Sequence, residues 1–408
     1  YVQGTAPNNI PSSLLQVFTP APPPPLPPLD IPVTTPYVSA GAAHTCALKA
    51  DGTAACWGDN LDGRATVPSG LAAVSQISAR HHTCALKTDG TVACWGNNDQ
   101  GQLNVPAGIG PIAQVSTGGA AFTCVLKTGR TVACFGNNAN GQTNVPAGLS
   151  SVTHVDAGAY HACALKANGT VACWGGNFAG QSDVPAGLTS VAQLSAGNFH
   201  TCAVKTNATV VCWGGQFNQN FGQAAVPAGL ASVSQVSSGD YHTCAVKTDG
   251  TSVCWGTNQY GQATVPIGLT SVVQVSAGYF HTCVLKTDGS VVCWGNNVYP
   301  IRNPLVYTGQ ADVPPGFNVY PQDITAPVAV ITSAADANGT AIANASATLS
   351  TSIAFNFAAT DSVGVTSIEC SLDAGPWVAC YSPAQYTALA VGAHSFRVIA
   401  TDAAGNTS

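Results

Sequence analysis

A cysteine pair spaced ten residues apart around a turn occurs eight times in this 408-residue chain, and that recurrence sharply limits what it can fold into. The pairs are Cys46/Cys56, Cys84/Cys94, Cys124/Cys134, Cys163/Cys173, Cys202/Cys212, Cys244/Cys254, Cys283/Cys293 and Cys370/Cys380, with no cysteine left over. In "TCALKADGTAACWG", Thr45 to Gly58, a three-residue loop of Ala50, Asp51 and Gly52 sets Lys49 opposite Thr53 and Cys46 opposite Cys56. Gly in third place suits the left-handed position of such a loop. "TGR" at Thr128 to Arg130 and "TNA" at Thr206 to Ala208 lack it, so those two turns are expected to bend differently. Directly opposed cysteines predict local disulfides in an oxidising compartment. Zinc is the competing use, because His44 shares a strand face with Cys46. C-x9-C is not a usual zinc spacing, however, and seven metal sites are less economical than seven staples. Each staple closes a short loop, worth about 2.5 to 3 kcal/mol in the chain-entropy model.

From Cys46 through Cys283 the first cysteines advance by 38, 40, 39, 39, 42 and 39 residues. Seven units at a period near forty point to a propeller or solenoid. Each unit reads as four segments: an apolar alternating run such as "VSQIS" from Val74, a small-residue corner such as "AGNFH" at Ala196 to His200, hairpin strands like "TCALK" and "TVACWG", and a polar "NNxxGQ" corner leading into "VPAGL". Short β-prone segments bounded by Gly, Asn and Pro are strands, and no helical periodicity spans ten residues. The expectation is an all-β, seven-bladed propeller with four strands per blade, closed so that no sheet edge is left open. Tyr37 to Gly41 carries the "VSAG" wording and is expected to close the ring, since after the seventh hairpin the corner expands to "NNVYPIRNPLVYTGQ".

Composition narrows the setting. There are 43 Gly, 26 Pro and no Met, charged residues make up 7%, and Glu369 is the single Glu. Cytosolic enzymes carry about a quarter charged residues. With Met absent, Tyr1 reads as a processed end behind a secretory leader, and the chain as secreted or displayed on a cell surface. No apolar run reaches the ~20 residues of a spanning helix. A net charge of -6, with no Lys or Arg before Lys49, argues against a nucleic-acid partner.

The consensus "SAGxxHTCALKxDGTVxCWGxNxxGQ" resembles the regulator of chromosome condensation repeat in its bacterial secreted, cysteine-bearing form, over roughly Tyr37 to Gly316. The resemblance implies a seven-bladed propeller whose corners present binding loops. It implies no single activity, since that fold serves nucleotide exchange, chromatin binding and enzyme inhibition. The disulfides, the acidic balance and the lack of a basic tail argue against nucleotide exchange. Farther on, "DITAPVAVITS", "FNFAATDSVGV", "IECSLDAGPWVAC" and "YTALAVGAHSFRVIATDAAGN" resemble bacterial immunoglobulin-like modules.

The expected organisation is therefore a Pro-rich extension at 1–36, a propeller at 37–322 and an immunoglobulin-like sandwich at 323–408 that lacks its last strand. An unpaired edge calls for a partner. "SSLLQVFTP", Ser12 to Pro20, is a lone alternating segment ahead of "PPPPLPPLD". Leu14, Gln16 and Phe18 face one way as a strand, and Leu15 and Val17 the other. Polyproline holds such a strand away from its own body. Donation into the sandwich of the next subunit is heterologous and gives a fibre, a homopolymer of this chain. The plainer alternative lays the segment along its own propeller.

His44, His82, His161, His200, His242 and His281 hold equivalent places, with Phe122 in the third unit, and are expected to serve hydrogen bonding within the repeat. Lys49, Lys87, Lys127, Lys166, Lys205, Lys247 and Lys286 flank the turns beside Asp residues. Trp57, Trp95, Trp174, Trp213, Trp255 and Trp294, with Phe135 substituting, are expected between blades; carbohydrate stacking is the alternative wherever one is exposed. Departures from the repeat are Arg64, Arg80, His81, Phe122, Arg130, His154, Asp156, Asp240 and Arg302. His154 and Asp156 offer a base and its orienter without a nucleophile, and no carboxylate pair suits glycoside chemistry, so no catalytic residue and no cofactor is expected. Asp323, Asp361 and Asp402 are calcium candidates, with turn capping as the plainer reading. Asn168, Asn207, Asn338, Asn344 and Asn406 begin N-x-[ST] sequons that serve either turns or glycans. Two functions result: an extracellular structural or adhesive fibre subunit, or a monomeric binding module whose propeller face grips a protein or glycan.

Overall fold

The computed structural model describes residues 35–215, 220–299, 306–320, 326–343, 350–361, 365–402 and 406–408. The candidate donor strand Leu14, Leu15, Gln16, Val17, Phe18 lies outside them, as do Arg302, Asp323, Asn344 and the side chain of Asp402. The chain divides into two units between Phe317 and Asn318.

The first unit holds seven antiparallel three-stranded sheets, each running inner, middle, outer in chain order. Blade 1 is β1 (Tyr37–Ala40), β2 (His44–Leu48) and β3 (Ala54–Gly58); blade 2 is β4 (Val74–Ala79), β5 (His82–Lys87) and β6 (Val92–Gly96). Blade 3 is β7 (Ile112–Gly118), β8 (Phe122–Lys127) and β9 (Val132–Gly136); blade 4 is β10 (Val152–Ala157), β11 (His161–Lys166) and β12 (Val171–Gly175). Blade 5 is β13 (Val191–Ala196), β14 (His200–Lys205) and β15 (Val210–Gly214); blade 6 is β16 (Val233–Ser238), β17 (His242–Lys247) and β18 (Ser252–Gly256). Blade 7 is β19 (Val272–Ala277), β20 (His281–Lys286) and β21 (Val291–Gly295).

The fourth expected strand does not form. The "NNxxGQ…VPAGL" segment folds on itself: Leu103 N–H donates to Asn98 Oδ1 at 3.0 Å, and Ile109 N–H to Pro106 O at 3.3 Å. Pro106 has no N–H for a ladder, and these local bonds satisfy the backbone that a fourth strand would have paired.

Hairpin register is as the spacing requires, with Cys46 opposite Cys56 and Leu48 opposite Ala54. Seven disulfides join the middle strand of a blade to its outer strand: Cys46–Cys56, Cys84–Cys94, Cys124–Cys134, Cys163–Cys173, Cys202–Cys212, Cys244–Cys254 and Cys283–Cys293, with Cα–Cα at 4.0–4.1 Å. The eighth, Cys370–Cys380, lies in the second unit with Cα–Cα at 5.8 Å. The two halves of each blade staple are not equivalent. The middle-strand cysteines are fully buried in the packing between blades, whereas Cys56, Cys94, Cys134, Cys173, Cys212, Cys254 and Cys293 on the outer strands are only partly buried. With every sulfur engaged in a bond to another, none of these cysteines is a thiolate ligand, and the zinc alternative falls away.

The two turns without Gly keep the common bend. Arg130 and Ala208 both take φ 62°, and Ala208 N–H donates to Lys205 O at 2.8 Å just as Gly52 N–H does to Lys49 O at 3.0 Å. The bonded turn overrides the side chain's preference, at a local cost of about 1 kcal/mol.

The ring closes through inner strands. Gln76 Oε1 accepts from Val115 N–H at 2.8 Å and Ser78 Oγ from Thr117 N–H at 3.0 Å, so one face of β4 grips β7. The same bonds join last blade to first: Gln274 Oε1 accepts from Val38 N–H at 2.7 Å and Ser276 Oγ from Ala40 N–H at 2.9 Å. Tyr37 to Gly41 thus serves as the closing strand. Apolar residues on the opposite strand face build the core between blades, where Trp95 packs with Leu48, Val74 and Ile77. Trp57, Trp95, Trp174, Trp213 and Trp255 are at most 9% exposed, which removes the carbohydrate-stacking alternative for them. A short pair, β22 (Val298–Tyr299) and β23 (Val306–Tyr307), follows blade 7.

The second unit has β24 (Val328–Asp336), β25 (Ala341–Ile342), β26 (Ile353–Thr360), β27 (Val365–Leu372), β28 (Val378–Ala379), β29 (Ala384–Tyr386) and β30 (Phe396–Asp402). They form sheets ordered β25-β24-β26-β29 and β28-β27-β30, a sandwich closed over Phe357, Cys370 and Ala384. The Phe355 and Phe396 rings stack at 4.3 Å across it. No helix among the described residues is long and apolar enough to cross a membrane.

Relief of the left-handed strain is measurable. Ala208→Gly should raise the unfolding free energy by up to about 1 kcal/mol in urea titration with disulfides intact.

Candidate binding face

In every blade the middle strand starts where the outer strand ends, as His44 pairs with Gly58, so the corner before the His and the "NNxxGQ" corner share one end of the propeller. At this end a polar relay links the blades. His44 Nε2 meets Thr83 Oγ1 at 2.8 Å, and the pattern repeats for His82–Thr123, His161–Thr201, His200–Thr243, His242–Thr282 and, closing the ring, His281–Thr45. Each Thr hydroxyl donates to a corner carbonyl, as Thr201 does to Gln181 O at 2.9 Å, so it accepts from the imidazole, and Nε2 carries the proton. The other face of the ring lies against Gly: a Cβ on Gly41 would sit 2.8 Å from the His44 ring, which explains the recurring small corner. Trp57, Trp213, Trp255 and Trp294 use the same carbonyls, as Trp213 Nε1–H donates to Gln181 O at 3.0 Å.

Burial depresses the imidazoles of His82, His161, His200, His242 and His281 to about 3, so all are neutral. Between blades 3 and 4 the relay is replaced as a pair. Phe122 stands for His and Ala162 for Thr, both fully buried in one apolar cluster.

Departures from the repeat are absorbed by the ring. Arg80 in blade 2 reaches across to Asp240 in blade 6 at 2.7 Å and donates to Ala196 O at 2.8 Å in blade 5. Burial raises the Asp240 carboxyl to about 6 against the pull of Arg80. His154 and Asp156 do not pair as base and orienter: His154 Nδ1 accepts from Gln114 at 3.0 Å, while Asp156 takes the role of Ser elsewhere and accepts from Ala196 N–H at 2.8 Å. Burial also lowers His81, to about 4. Arg64 sits by Asp59 and Asp62 at 3.8 and 3.3 Å, and its carbonyl takes the Thr83 hydroxyl. At the opposite end Lys87, Lys247 and Lys286 pair with their turn Asp at 2.8–2.9 Å. Asn168 and Asn207 each accept from the Thr two residues on, at 2.7 Å, as turn residues. Among the described residues no cluster of three or more His, Cys, Asp or Glu is placed to hold a metal, so the calcium reading finds no ligand set around Asp361.

Two features remain outside this framework. Tyr160, Phe199, Tyr241 and Phe280 precede the relay His in blades 4 to 7, where blades 1 to 3 have Ala43, His81 and Ala121. Phe178, Phe221 and Tyr260 stand in the neighbouring corners and are 55%, 46% and 37% exposed. Adjacent rings run 4.1–6.1 Å apart from Phe178 through Tyr160, Phe199 and Tyr241 to Tyr279, Phe280 and Tyr260, with Phe221 against Tyr241. Sequence reasoning misses this arc, although "AGAYH", "AGNFH", "SGDYH" and "AGYFH" spell it out beside "GAAH". The second feature is a groove of about 510 Å³ in the C-terminal unit, between Val330 and Ile331 of β24 and Phe396 to Ile399 of β30, with Trp377 at its side.

The regulator of chromosome condensation (RCC1) repeat matches residues 37–64, 80–102, 112–142, 152–181, 191–223, 233–262 and 272–299. The propeller is an RCC1-repeat propeller. Its shape is similar to the ectodomain of the Physcomitrella patens receptor kinase CR4, at 24% identity, over 64% of this chain and 74% of that one, with a TM-score of 0.54. It is also similar to the CRINKLY WD40 ectodomain of the Arabidopsis thaliana receptor kinase ACR4 (23% identity, 66% and 97% covered, TM-score 0.53) and to yeast RCC1 (Prp20) bound to Kap60 (17%, 59% and 77%, 0.50). At these identities the likeness is one of fold. No curated protein sequence matches the chain. With eight disulfides and no free cysteine among the described residues, this RCC1-repeat chain suits an oxidising, extracellular setting.

Two measurements test the RCC1 relay. Phe122→His alone buries an imidazole without its Thr and should lower stability by about 1 to 3 kcal/mol; adding Ala162→Thr should recover part of it, a coupling read from a double-mutant cycle. Acid provides the other. The folded His values near 3 lie below the ordinary 6.5, so their contribution is complete above about pH 6.5 and drains away as pH falls towards 3. Asp240, raised to about 6, acts oppositely between 6 and 3.8, but it is one group against these five and His81. Unfolding free energy in urea should therefore decline steadily from pH 6.5 to 4.

Proposed function

We propose that the chain is a structural subunit of an extracellular, adhesive fibre, in which the N-terminal strand of one copy completes the C-terminal sandwich of the next. The observation that carries this reading is the outer edge of β30. On one side β30 pairs with β27 along its length; on the other, among the described residues, Ala400 and Thr401 alone are met, by Ser408 and Thr407. On the facing sheet β25 covers only Ala334 and Ala335 of β24, leaving Val328 to Ile331 with no described strand on that side. Between these two edges lies the groove, where Val330 and Ile331 are 50% and 42% exposed. An added strand would meet the backbone groups of Phe396 to Ile399 and lower alternate side chains onto Val330, Ile331 and Trp377, the combination that gives strand addition its affinity and register.

Residues 12–20 fit as occupant on sequence grounds. Leu15 and Val17, or Leu14 and Phe18, present alternate apolar side chains, and the proline run that follows is stiff enough to reach outward. On the wording "DITAPVAVITS" and "ATDAAGN" we read the acceptor as an immunoglobulin-like module of a bacterial secreted protein. The joint is heterologous, so repetition extends it into a fibre that displays propellers.

Native electrophoresis of the full chain should give a heat-labile ladder, and removal of residues 12–20 should give monomer. Val330→Arg, a substitution at a half-exposed site, should also give folded monomer. A ladder from the deleted chain, or a monodisperse monomer from the intact one, would overturn the proposal.

A further inference from the structure

We infer that the aromatic arc on blades 4 to 7 is a binding site for an uncharged polysaccharide. Its rings do not serve the fold of the repeat. Blades 1 to 3 close with equivalent inner-strand bonds, Tyr37 standing in for Gln between blades 1 and 2, and blades 1 and 2 have the same relay, while carrying Ala43, His81 and Ala121 in place of Tyr160, Phe199, Tyr241 and Phe280. An aromatic residue that packing required would recur in every blade.

The exposed rings are held rigidly. Phe178 stands edge-on to Tyr160 at 85°, Phe221 to Tyr241 at 89° and Tyr260 to Phe280 at 65°. The backbone is fixed from below, because the buried Gln223 and Gln262 accept from Phe221 N–H at 2.7 Å and Tyr260 N–H at 2.9 Å, and Gln181 from Ala179 N–H, next to Phe178, at 2.8 Å. Rings immobilised before a ligand arrives lose little entropy on binding it.

The surrounding chemistry selects the ligand class. All seven lysines and Arg130 lie at the hairpin end of the blades. At the corner end the Arg80 guanidinium is engaged with Asp240 and Ala196, and Arg64 with Asp59 and Asp62. Among the described residues of the arc, therefore, no cation is offered to phosphate or an anionic polymer. The corner N–H groups of Phe221 and Tyr260 are taken by glutamines, which leaves no strand edge there for a peptide backbone. What the arc presents is ring surface with neutral polar groups beside it. Tyr241 is hydrogen-bonded to Tyr279 and Asn198, and Asn198, 5% exposed, keeps its Oδ1 without a protein partner. Sugar rings offer the complement: C–H faces to stack on aromatics and hydroxyls to meet those of Tyr.

The test is affinity electrophoresis of the full chain through gels containing laminarin, hydroxyethylcellulose, mannan, dextran or alginate, beside a panel of uncharged peptides. At least one neutral polysaccharide should retard the protein. Phe178→Ala with Phe221→Ala should weaken that retardation about tenfold, while Leu61→Ala in the matching corner of blade 1 should leave it unchanged. Melting temperature controls for folding. Retardation by alginate alone, binding of peptides instead, no retardation by any neutral gel, or retardation that survives the double substitution would each overturn the inference. Because Val330→Arg acts on the other unit, its effect on assembly should leave polysaccharide binding intact.

Discussion

A threonine hydroxyl between two blades carries much of this architecture. It accepts from the imidazole of one blade and donates to the corner carbonyl that follows that blade, so three buried polar groups are satisfied at one point. A single such bond is worth about 1 kcal/mol net, but an orphaned partner costs more, and the links run around the ring. None of the eight disulfides joins one blade to another; in the propeller each pins a hairpin inside its own sheet. Closure is thus non-covalent and rests on the relay, the inner-strand Gln and Ser bonds and the Trp layer. The Phe122–Ala162 exchange obeys the same rule, since both partners become apolar and neither is left unpaired.

Once the ring's needs are met, little irregularity is left over. Arg80, Asp156 and Asp240 break the repeat to tie blades together, and Asp156 substitutes for serine at a backbone N–H. Among the described residues, two places stand out for chemistry that faces outward. One is the aromatic end of blades 4 to 7; the other is the β24–β30 edge of the sandwich. A body that is stapled locally and closed by buried neutral groups suits an oxidising, extracellular setting.

Much of the fold was legible in the sequence because it repeats. Opposed cysteines, the hairpin loops and the closing role of Tyr37 to Gly41 follow from spacing and alternation alone. The fourth strand misleads because "VPAGL" is apolar, yet Pro106 cannot join a ladder and its neighbours bond one another. Arg130 and Ala208 escape a reading of side-chain preference, because the turn's own hydrogen bond holds both at φ 62°. Attention to what recurs also hides the aromatic arc: Tyr160, Phe199, Tyr241 and Phe280 vary against Ala43 and Ala121 at one position, and only their contact in space makes them a surface. Co-substitution of Phe122 and Ala162, forty residues apart, is visible in the letters and needs the relay to give it meaning.

The most direct test of the central claim is a density map of the native assembly at a resolution that shows side chains, inspected beside Phe396 to Ile399. The account predicts a strand there with the alternation of Leu14 to Phe18, traceable through the proline run to a neighbouring propeller. A strand continuous with the same chain, or an edge left bare, would contradict it.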